Sequence, residues 1–207
     1  MIDKIITEID RVIKTLTTAP VSKRPHPDAA ISECDSLSLA QKKHSLGLMR
    51  VNHCGEICAQ ALYQGQALTA KDKTNRDAFA AAALEETEHL AWTNQRINEL
   101  GGKPSILNPL FYCASLAMGV TAGVIGDKWN LGFLQETEKQ VEKHLEKHQS
   151  LLPEADQKSL AIVAQMKYDE HQHAQMAHAH GAAELPKPIK RLMGFGSKIM
   201  TKSAYYI

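Results

Sequence analysis

The stretches that decide the fold are EETEHLAW at residues 85–92 and YDEHQHAQ at residues 168–175. Each contains a glutamate followed three residues later by a histidine, and these pairs are Glu86 with His89 and Glu170 with His173. On an α-helix, residues three positions apart lie on one face, about one turn from each other. Each pair therefore directs a carboxylate and an imidazole toward the same point.

Both pairs fall on the apolar face of their predicted helices. The residues that share a face with the first pair are Phe79, Ala82, Leu90, Thr93 and Ile97. Those that share a face with the second pair are Val163, Met166, Ala174 and Ala177. A carboxylate on an inward face is costly unless it is paired or bound to a metal ion. The pattern therefore indicates a buried site in which the charges are compensated.

Two further glutamates occupy inward positions on their own predicted helices. Glu56 shares a face with Met49 and Tyr63, and Glu138 follows the packing seam that begins at Leu134. Thirty residues separate Glu56 from the first pair's glutamate, and 32 separate Glu138 from the second pair's glutamate. A hairpin of two antiparallel helices would bring each set to one height. The chain thus reads as two copies of one unit, a helix with a single Glu and then a helix with Glu-x-x-His.

Four carboxylates and two imidazoles from four helices are the ligand set of a carboxylate-bridged di-iron or di-manganese site. Two divalent ions carry a charge of +4, which four carboxylates balance, whereas zinc more typically takes cysteine or a closed set of four ligands. Glu142 is an alternative to Glu138. The predicted metal ligands are Glu56, Glu86, His89, Glu138, Glu170 and His173.

Other ionisable residues near these motifs are expected to have no part in metal binding. The residues predicted to be surface groups are Glu85, Glu88, His171, His178 and His180. Cys54 and Cys58 lie one turn apart near Glu56 and are expected to be small core residues. None of the four cysteines, which include Cys34 and Cys113, forms a C-x-x-C pair, so the sequence predicts neither a zinc ribbon nor a redox motif.

The composition is that of an ordinary globular protein. The 207 residues are 43% hydrophobic and 23% charged, which predicts one domain over residues 1–207 with a real core. A net charge of +1 gives no reason to expect a nucleic-acid partner. The N-terminus lacks the basic start and apolar block of a signal peptide, and the scattered thiols are typical of a reduced, cytosolic protein.

Helical periodicity and helix-breaking residues divide the chain into an all-α succession. We predict an amphipathic helix and a Pro-rich linker over residues 1–35, then four long helices, with an amphipathic tail over residues 182–207. The first long helix is expected to loosen at Gly47 or Gly55. No β-type alternation stands out, and the short connections favour antiparallel neighbours in a bundle.

The segment at residues 104–126 contains no charged residue. It is long enough to span a bilayer, but its glycines, Asn108 and Pro109 weaken that interpretation. We expect instead a helix that is buried in the bundle or dips into a membrane surface.

Several stretches together resemble the bacterial 3-demethoxyubiquinol 3-hydroxylase family, over essentially the whole chain and with matching spacing. Besides EETEHLAW, they are LMRVNHCGEICAQALYQGQALTAKD, LNPLFYCASLAMGVTAGVIGDKWNLGF, TEKQVEKHLEKH, YDEHQHAQMA and the ending KIMTKSAYYI. The family commonly has Ala or Thr where this chain has Cys54, and Cys58 is a similar departure. Neither departure touches a predicted ligand.

The resemblance implies a ferritin-like fold and two iron ions per chain, held by the six ligands above. It favours Glu138 over Glu142, makes Glu86 and Glu138 candidates to bridge the metals, and places His144 near the substrate or just behind the metal ligands. It implies that O₂ is used to hydroxylate a polyprenylated methoxy-methyl-benzoquinol at its last unsubstituted ring carbon, a step of ubiquinone synthesis. A reductase, NADH or the quinol itself would supply two electrons.

The resemblance also implies a location. An isoprenoid tail resides in the bilayer, so we expect a peripheral protein on the cytoplasmic face of the bacterial cell membrane, with the possibility of a homo-oligomer. The apolar segment and the Lys-bearing C-terminal stretch would contact the membrane surface. No Gly-rich nucleotide-binding loop is present, so no flavin or NAD domain is predicted.

Three other functions share part of the pattern. A ferritin-like iron store or a rubrerythrin would use similar ligands, but rubrerythrin adds a Cys-rich iron site. A tRNA-modifying di-iron hydroxylase should present a basic face, which a net charge of +1 disfavours. A non-enzymatic helical adaptor would not bury four acids and two imidazoles.

Overall fold

The computed structural model describes residues 2–33 and 37–207, so the expectation for Cys34 lies outside the described residues. Within this part of the chain there are seven α-helices and no strand. The helices are α1 (Ile2–Thr17), α2 (Leu39–Thr69), α3 (Lys73–Glu99), α4 (Asn108–Ile125), α5 (Asp127–Leu151), α6 (Gln157–Ala179) and α7 (Lys187–Ala204). The predicted all-α class is confirmed.

Side-chain caps define where three of the long helices begin. Ser38 forms a reciprocal capping box with Gln41 at the start of α2. The carboxylates of Asp72 and Asp156 accept from backbone N–H groups in the first turns of α3 and α6. Each cap satisfies an N–H group that has no partner inside its helix. Gly101 ends α3 with a φ of 77°, a conformation that favours glycine.

Helices α2, α3, α5 and α6 form the four-helix bundle that the ferritin-like prediction requires. The contacts run between α2 and α3, α5 and α6, α3 and α6, and α2 and α5. The interior contains two apolar clusters. The first is built around Met49, Trp92, Leu145 and Met166, and the second around Tyr63, Phe79, Leu134 and Ala177. On every one of the four helices the predicted ligands lie between the two clusters, so the ligand layer is sealed on both sides.

Helix α2 runs without interruption over its 31 residues, so the expected loosening at Gly47 or Gly55 is not observed. Gly47 instead receives the ring of Tyr205, because an added Cβ would lie 2.6 Å from Tyr205 Cε2. An added Cβ at Gly55 would meet nothing within 4 Å. Gly47 therefore permits a close approach of Tyr205 without breaking α2.

The uncharged segment forms α4, which packs on α2 through glycines. An added Cβ at Gly65 would lie 2.5 Å from Leu116 O, and one at Gly119 would lie 2.2 Å from Leu62 O. The two backbones can approach this closely only because these side chains are absent. By length and composition α4 could cross a membrane, and only 33% of it is buried. It is therefore a helix on the outside of the bundle with about two thirds of its residues not buried.

Helices α1 and α7 also lie outside the bundle. α1 contacts α2, and α7 contacts α2 and α5. Both leave large apolar side chains exposed, and these include Ile6, Ile9, Ile13, Leu192, Phe195 and Ile199. Both are amphipathic, as the sequence predicts.

Candidate metal centre

The six predicted ligands all point into the bundle. Glu56 is on α2, Glu86 and His89 are on α3, Glu138 is on α5, and Glu170 and His173 are on α6. None of the six is more than 5% exposed. The helices bring them together from four separate parts of the chain, as the spacing of the two repeated units requires.

The six residues form two overlapping groups. In each group the ligand atoms lie within 4.8 Å of one another, and each group could hold a metal ion. The first group is Glu56, Glu86, His89 and Glu170, and the second is Glu86, Glu138, Glu170 and His173. Glu86 and Glu170 belong to both groups, whereas Glu138, which the resemblance made a candidate bridge, belongs to one.

The shared carboxylates face both histidines. Nδ1 of His89 lies 3.3 Å from Glu86 Oε2 and 3.2 Å from Glu170 Oε1. Nδ1 of His173 lies 3.5 Å from Glu86 Oε1 and 3.2 Å from Glu170 Oε2. Each shared carboxylate thus turns one oxygen toward each imidazole. Glu56 completes the first group, with its Oε2 3.5 Å from His89 Nδ1.

Several atoms of this cluster are buried without a hydrogen-bond partner among the described residues. They are Glu86 Oε1 and Oε2, His89 Nδ1, Glu138 Oε1 and Glu170 Oε1. A buried acceptor without a partner costs free energy, and the cost is larger for a charged group. Hard oxygen ligands and imidazole nitrogens are what a divalent transition metal ion takes from a protein. The donor atoms therefore fit a pair of such ions, and each atom that lacks a hydrogen-bond partner would gain a metal ion as its partner.

Glu56, Glu138 and Glu170 have pKa values far from the ordinary one because they are buried among other charged groups. Burial, followed by repulsion from Glu86, raises the pKa of Glu56 well above its usual value. Burial, followed by repulsion from Glu170, does the same to the pKa of Glu138. Burial also acts to raise the pKa of Glu170, but its hydrogen bond to His173 and the nearby imidazole of His89 outweigh burial, and that pKa is lowered. Without a metal, the cluster limits its negative charge by holding protons.

The two imidazoles hold protons for the same reason. Burial lowers the pKa of His89, but the hydrogen bond to Asp169 and the negative charge of the surrounding glutamates raise it well above its usual value. Burial likewise lowers the pKa of His173, but hydrogen bonds to Glu170 and Glu85 raise it to about 12. Metal ions would replace these protons as the source of positive charge.

The outward nitrogens of the two histidines reach residues that we did not predict to belong to the site. His89 Nε2 lies 3.0 Å from Asp169 Oδ2, and His173 Nε2 lies 3.1 Å from Glu85 Oε2. Asp169 is buried, whereas the side chain of Glu85 is 49% exposed. A carboxylate behind a ligating histidine fixes the orientation and tautomer of the ring. The position of Asp169, one residue before a predicted ligand, was the only signal in the sequence.

Two residues near Glu138 take no part in either group. Glu142 is half-buried, and its Oε1 lies 3.1 Å from Nδ1 of the exposed His171. His144 is half-buried, and its ring centroid lies 3.9 Å from that of His148. Burial lowers the pKa of His144 to about 4, so its ring is neutral near neutral pH, and its buried Nε2 has no hydrogen-bond partner among the described residues.

The surface predictions are confirmed for four of five residues. His171, His178 and His180 are exposed. Glu85 is exposed but contacts a predicted ligand, and the prediction for Glu88 is wrong. Glu88 is 8% exposed because residues 22–24 of the linker after α1 cover it and donate hydrogen bonds to its carboxylate.

The two cysteines near Glu56 differ in burial. Cys54 is fully buried with Val51 and Ala204, as predicted for a core residue, and Cys58 is half-buried. Neither thiol belongs to a metal-holding group.

Comparison with known proteins gives a single family. A family model described as ubiquinone biosynthesis protein COQ7 matches residues 43–204. The chain is 63% identical to a protein of Chromobacterium violaceum and 59% identical to one of Laribacter hongkongensis, over all of both chains in each case. It is 50% identical to a protein of Legionella pneumophila, over 100% of this chain and 97% of the relative. All three relatives are named 3-demethoxyubiquinol 3-hydroxylase, which agrees with the resemblance seen in the sequence. The chain therefore belongs to the COQ7 family of ubiquinone biosynthesis proteins.

Proposed function

We propose that this protein is an O₂-dependent di-iron monooxygenase that hydroxylates a polyprenylated methoxy-methyl-benzoquinol, demethoxyubiquinol, in ubiquinone biosynthesis. Family membership and the names of relatives up to 63% identical support the activity. The observation that carries the chemistry is the meeting of four buried carboxylates and two imidazoles, whose unpartnered atoms face a common centre. An organic side chain cannot activate O₂, and bound iron would supply that redox chemistry.

The two groups of donors define how two iron ions would be held. Glu56 and His89 would serve one ion, and Glu138 and His173 the other. Glu86 and Glu170 would be shared, because each directs one oxygen toward each histidine. Carboxylates suit this role because both of their oxygens can bind.

The rest of the bundle keeps the reacting region dry and fixed. The apolar clusters on either side of the ligand layer exclude water, which strengthens every electrostatic interaction inside it. Asp169 and Glu85 hold the outward nitrogens of the two histidines, so Nδ1 of each ring stays directed to the centre. Orientation of this kind is what a scaffold contributes to reactions that a metal performs.

A cavity of about 190 Å³ supports a path for the quinol ring. It lies between the end of α1, α2, α3 and the start of α4, and its wall includes Ile57 and Leu90, neighbours in sequence of Glu56 and His89. His53 and Asn108 add a polar contact, with Nδ1 and Nδ2 3.5 Å apart. Burial lowers the pKa of His53 to about 4, so the ring could hydrogen-bond a quinol oxygen as a neutral group. We also retain His144 as a candidate to contact the substrate or support the metal ligands.

The exposed apolar faces of α4 and α7 support contact with a membrane surface. α4 is the one described helix that is long and apolar enough to cross a membrane, and it leaves Leu110 and Val124 each 64% exposed. We propose a peripheral location at the cytoplasmic face of the cell membrane, where the isoprenoid tail of the substrate would remain in lipid. The whole chain, residues 1–207, would act as a single domain, alone or as a homo-oligomer.

The proposal is tested by the quinones of cells that lack this protein. We expect the demethoxy precursor to accumulate and ubiquinone to return when the wild-type gene is restored, but not with Glu170→Ala. Glu142→Ala is the matched control, because Glu142 is an acid near the centre that belongs to neither group of donors. A normal ubiquinone profile in the deleted cells would contradict the proposed activity.

Metal analysis tests the centre separately from the activity. We expect about two iron ions per chain in protein loaded with Fe²⁺ without oxygen. Fewer than one ion per chain, in protein that unfolds cooperatively, would contradict the di-iron assignment. An iron store would instead hold many ions and leave the quinones of the deleted cells unchanged.

A further inference from the structure

The linker between α1 and α2 is bound to the outside of the metal centre. We call residues 18–33 the N-terminal strap. The buried carboxylate of Glu88 on α3 accepts from the backbone N–H groups of Lys23 at 2.8 Å and Arg24 at 3.1 Å, and from the Ser22 hydroxyl. The indole N–H of Trp92 donates to the same hydroxyl at 3.1 Å. Three successive residues of the strap are thus fixed against α3 at Glu88, which directly precedes the predicted ligand His89.

The strap places the guanidinium of Arg24 against Asp169, the carboxylate behind His89. Arg24 Nη1 lies 2.8 Å from Asp169 Oδ2, and Nη2 lies 3.3 Å from Oδ1, so the two groups meet as a fork on α6. The guanidinium also lies over the ring of Trp92, 4.9 Å from its centroid. Paired nitrogens and a stacked ring hold an arginine in one orientation, which a lysine cannot reproduce.

Asp169 connects this guanidinium to a predicted ligand. Its Oδ2 accepts from both Arg24 Nη1 and His89 Nε2, and its Oδ1 accepts from Gln165 Nε2 at 2.9 Å. Both carboxylate oxygens of Asp169 are therefore fixed by hydrogen bonds from residues that are not predicted metal ligands. Because His89 donates through Nε2, Nδ1 is the nitrogen that would offer its lone pair to a metal ion that displaces its proton.

The second histidine has no comparable support among the described residues. His173 Nε2 contacts Glu85, whose side chain is 49% exposed and whose carboxylate is exposed to solvent screening. One half of the centre is thus held by a fixed, arginine-paired carboxylate and the other by a half-exposed one.

We propose that Arg24 is a positioning residue, which the N-terminal strap places on Asp169 to hold His89 in the orientation that binds one of the two metal ions. The inference rests on the proposed function, since it requires a metal centre. It assigns the strap a specific role at one half of that centre, and it predicts that the two ions bind with unequal dependence on Arg24.

The test is an oxygen-free titration of the metal-free full-length protein with Co²⁺, followed by the visible absorbance of the bound ion. We expect Arg24→Met to weaken one of two binding events by about 10-fold and to leave the other within about twofold. Arg24→Lys should recover part of the loss, because an ammonium replaces the charge but not the fork. Lys23→Met is the matched control, because its side chain is exposed and the strap uses only its backbone.

A double variant separates positioning from general damage. In an Asp169→Asn background, Arg24→Met should add no further loss of affinity, because both act through one hydrogen bond to His89. Additive losses, an equal loss in both events, or an Arg24→Met titration identical to the wild type would each overturn the inference. Should Arg24→Met not fold, Arg24→Gln, which keeps a hydrogen-bond donor, replaces it with the same expectations. A wild-type protein that binds no Co²⁺ or Fe²⁺ would overturn the proposed function as well.

Discussion

The two histidines of the candidate centre have similar neighbours on the inside and different ones on the outside. His89 and His173 each direct Nδ1 toward Glu86 and Glu170. Outside, the carboxylate behind His89 is 7% exposed and paired with an arginine, whereas the one behind His173 is 49% exposed. The repeated units therefore supply matched ligands, and the packing around them makes the two halves unequal.

The two hairpins that carry the ligands also differ in how much of their surface is buried. In α2, 17 of 31 residues are buried, against 7 of 25 in α5. Helices α1, α4 and α7 all contact α2, whereas α4 and α7 contact α5 less extensively than they contact α2. The added helices thus collect on the first hairpin, and the N-terminal strap crosses from α3 of that hairpin to α6 of the second.

Removing what the two halves share should have the largest effect. Glu170→Ala takes away a carboxylate that belongs to both groups of donors, so we expect both metal ions to be lost, with affinity reduced at least about 100-fold. Metal content after gel filtration measures this directly. Glu142→Ala should retain the wild-type content, and retention of one ion in Glu170→Ala would show that the carboxylate is not shared.

Ionisable groups in both halves of the centre should make the metal-free protein less stable at higher pH. His173 has a pKa of about 12 in the metal-free folded protein against an ordinary 6.5, so its stabilising contribution is full below pH 6.5 and is lost as the pH rises toward 12. Glu56 and Glu138 have raised pKa values and lose their contributions in the same direction, upward from 4.5. The metal-free protein should therefore become less stable as the pH rises above about 7, where His53 and His144, whose pKa values burial lowers to about 4, are already neutral.

Metal binding should show the opposite dependence on pH. Metal ions displace the protons of these groups, so affinity should rise by about tenfold per pH unit for each proton displaced. The difference in Tm between metal-loaded and metal-free protein should accordingly widen between a pH of about 6 and about 8. A difference that narrows over this range would contradict the protonation that we assign.

Substitutions behind the two histidines should separate the halves. Asp169→Asn replaces a buried carboxylate oxygen that accepts from His89, and we expect a loss of about 10- to 100-fold in the affinity for one ion. Glu85→Gln changes a half-exposed group, and we expect a loss of less than about threefold because solvent screens it. Calorimetric titration with Co²⁺ measures the metal affinity of both variants. Equal losses would show that the two histidines are supported equally.

The smallest expected effect concerns the packing of α4 against α2 of the first hairpin. Gly119→Ala would place a Cβ 2.2 Å from the backbone oxygen of Leu62, so α4 must shift away from α2. We expect the free energy of unfolding to fall by about 1–3 kcal/mol, measured by urea denaturation of the metal-free protein. Gly55→Ala is the control, since its Cβ meets nothing within 4 Å and should stabilise α2 by about 0.5–1 kcal/mol. An unchanged Gly119→Ala would show that α4 does not depend on this close approach.

The ligands could be predicted from sequence because helical geometry is local. Glu86 and His89 are one turn apart on any helix, and the apolar residues around them already indicate which way they face. Matching intervals then pair Glu56 with Glu86 and Glu138 with Glu170. The shared position of Glu170 could not be predicted in this way, because it depends on how the second hairpin lies against the first.

The residues that the sequence did not reveal are those joined across long intervals. Asp169 and Arg24 are 145 positions apart, and no periodicity links an irregular linker to a helix that distant. Glu88 resembled a surface residue because its own helix gives no sign that a strap will cover it. The placement of α4 is similar, because an uncharged segment suits a membrane and a protein surface equally well.

The sequence by itself determined the helices, the repeated hairpin and the six side chains aimed inward, since these follow from the 3.6-residue period and from the cost of burying unpaired carboxylates. Only the tertiary structure decided which carboxylates serve both halves, which histidine is fixed by an arginine, and which face α4 leaves open. Those outcomes depend on contacts between segments that are distant in the chain, and the free energy of such contacts exists only once the segments have come together.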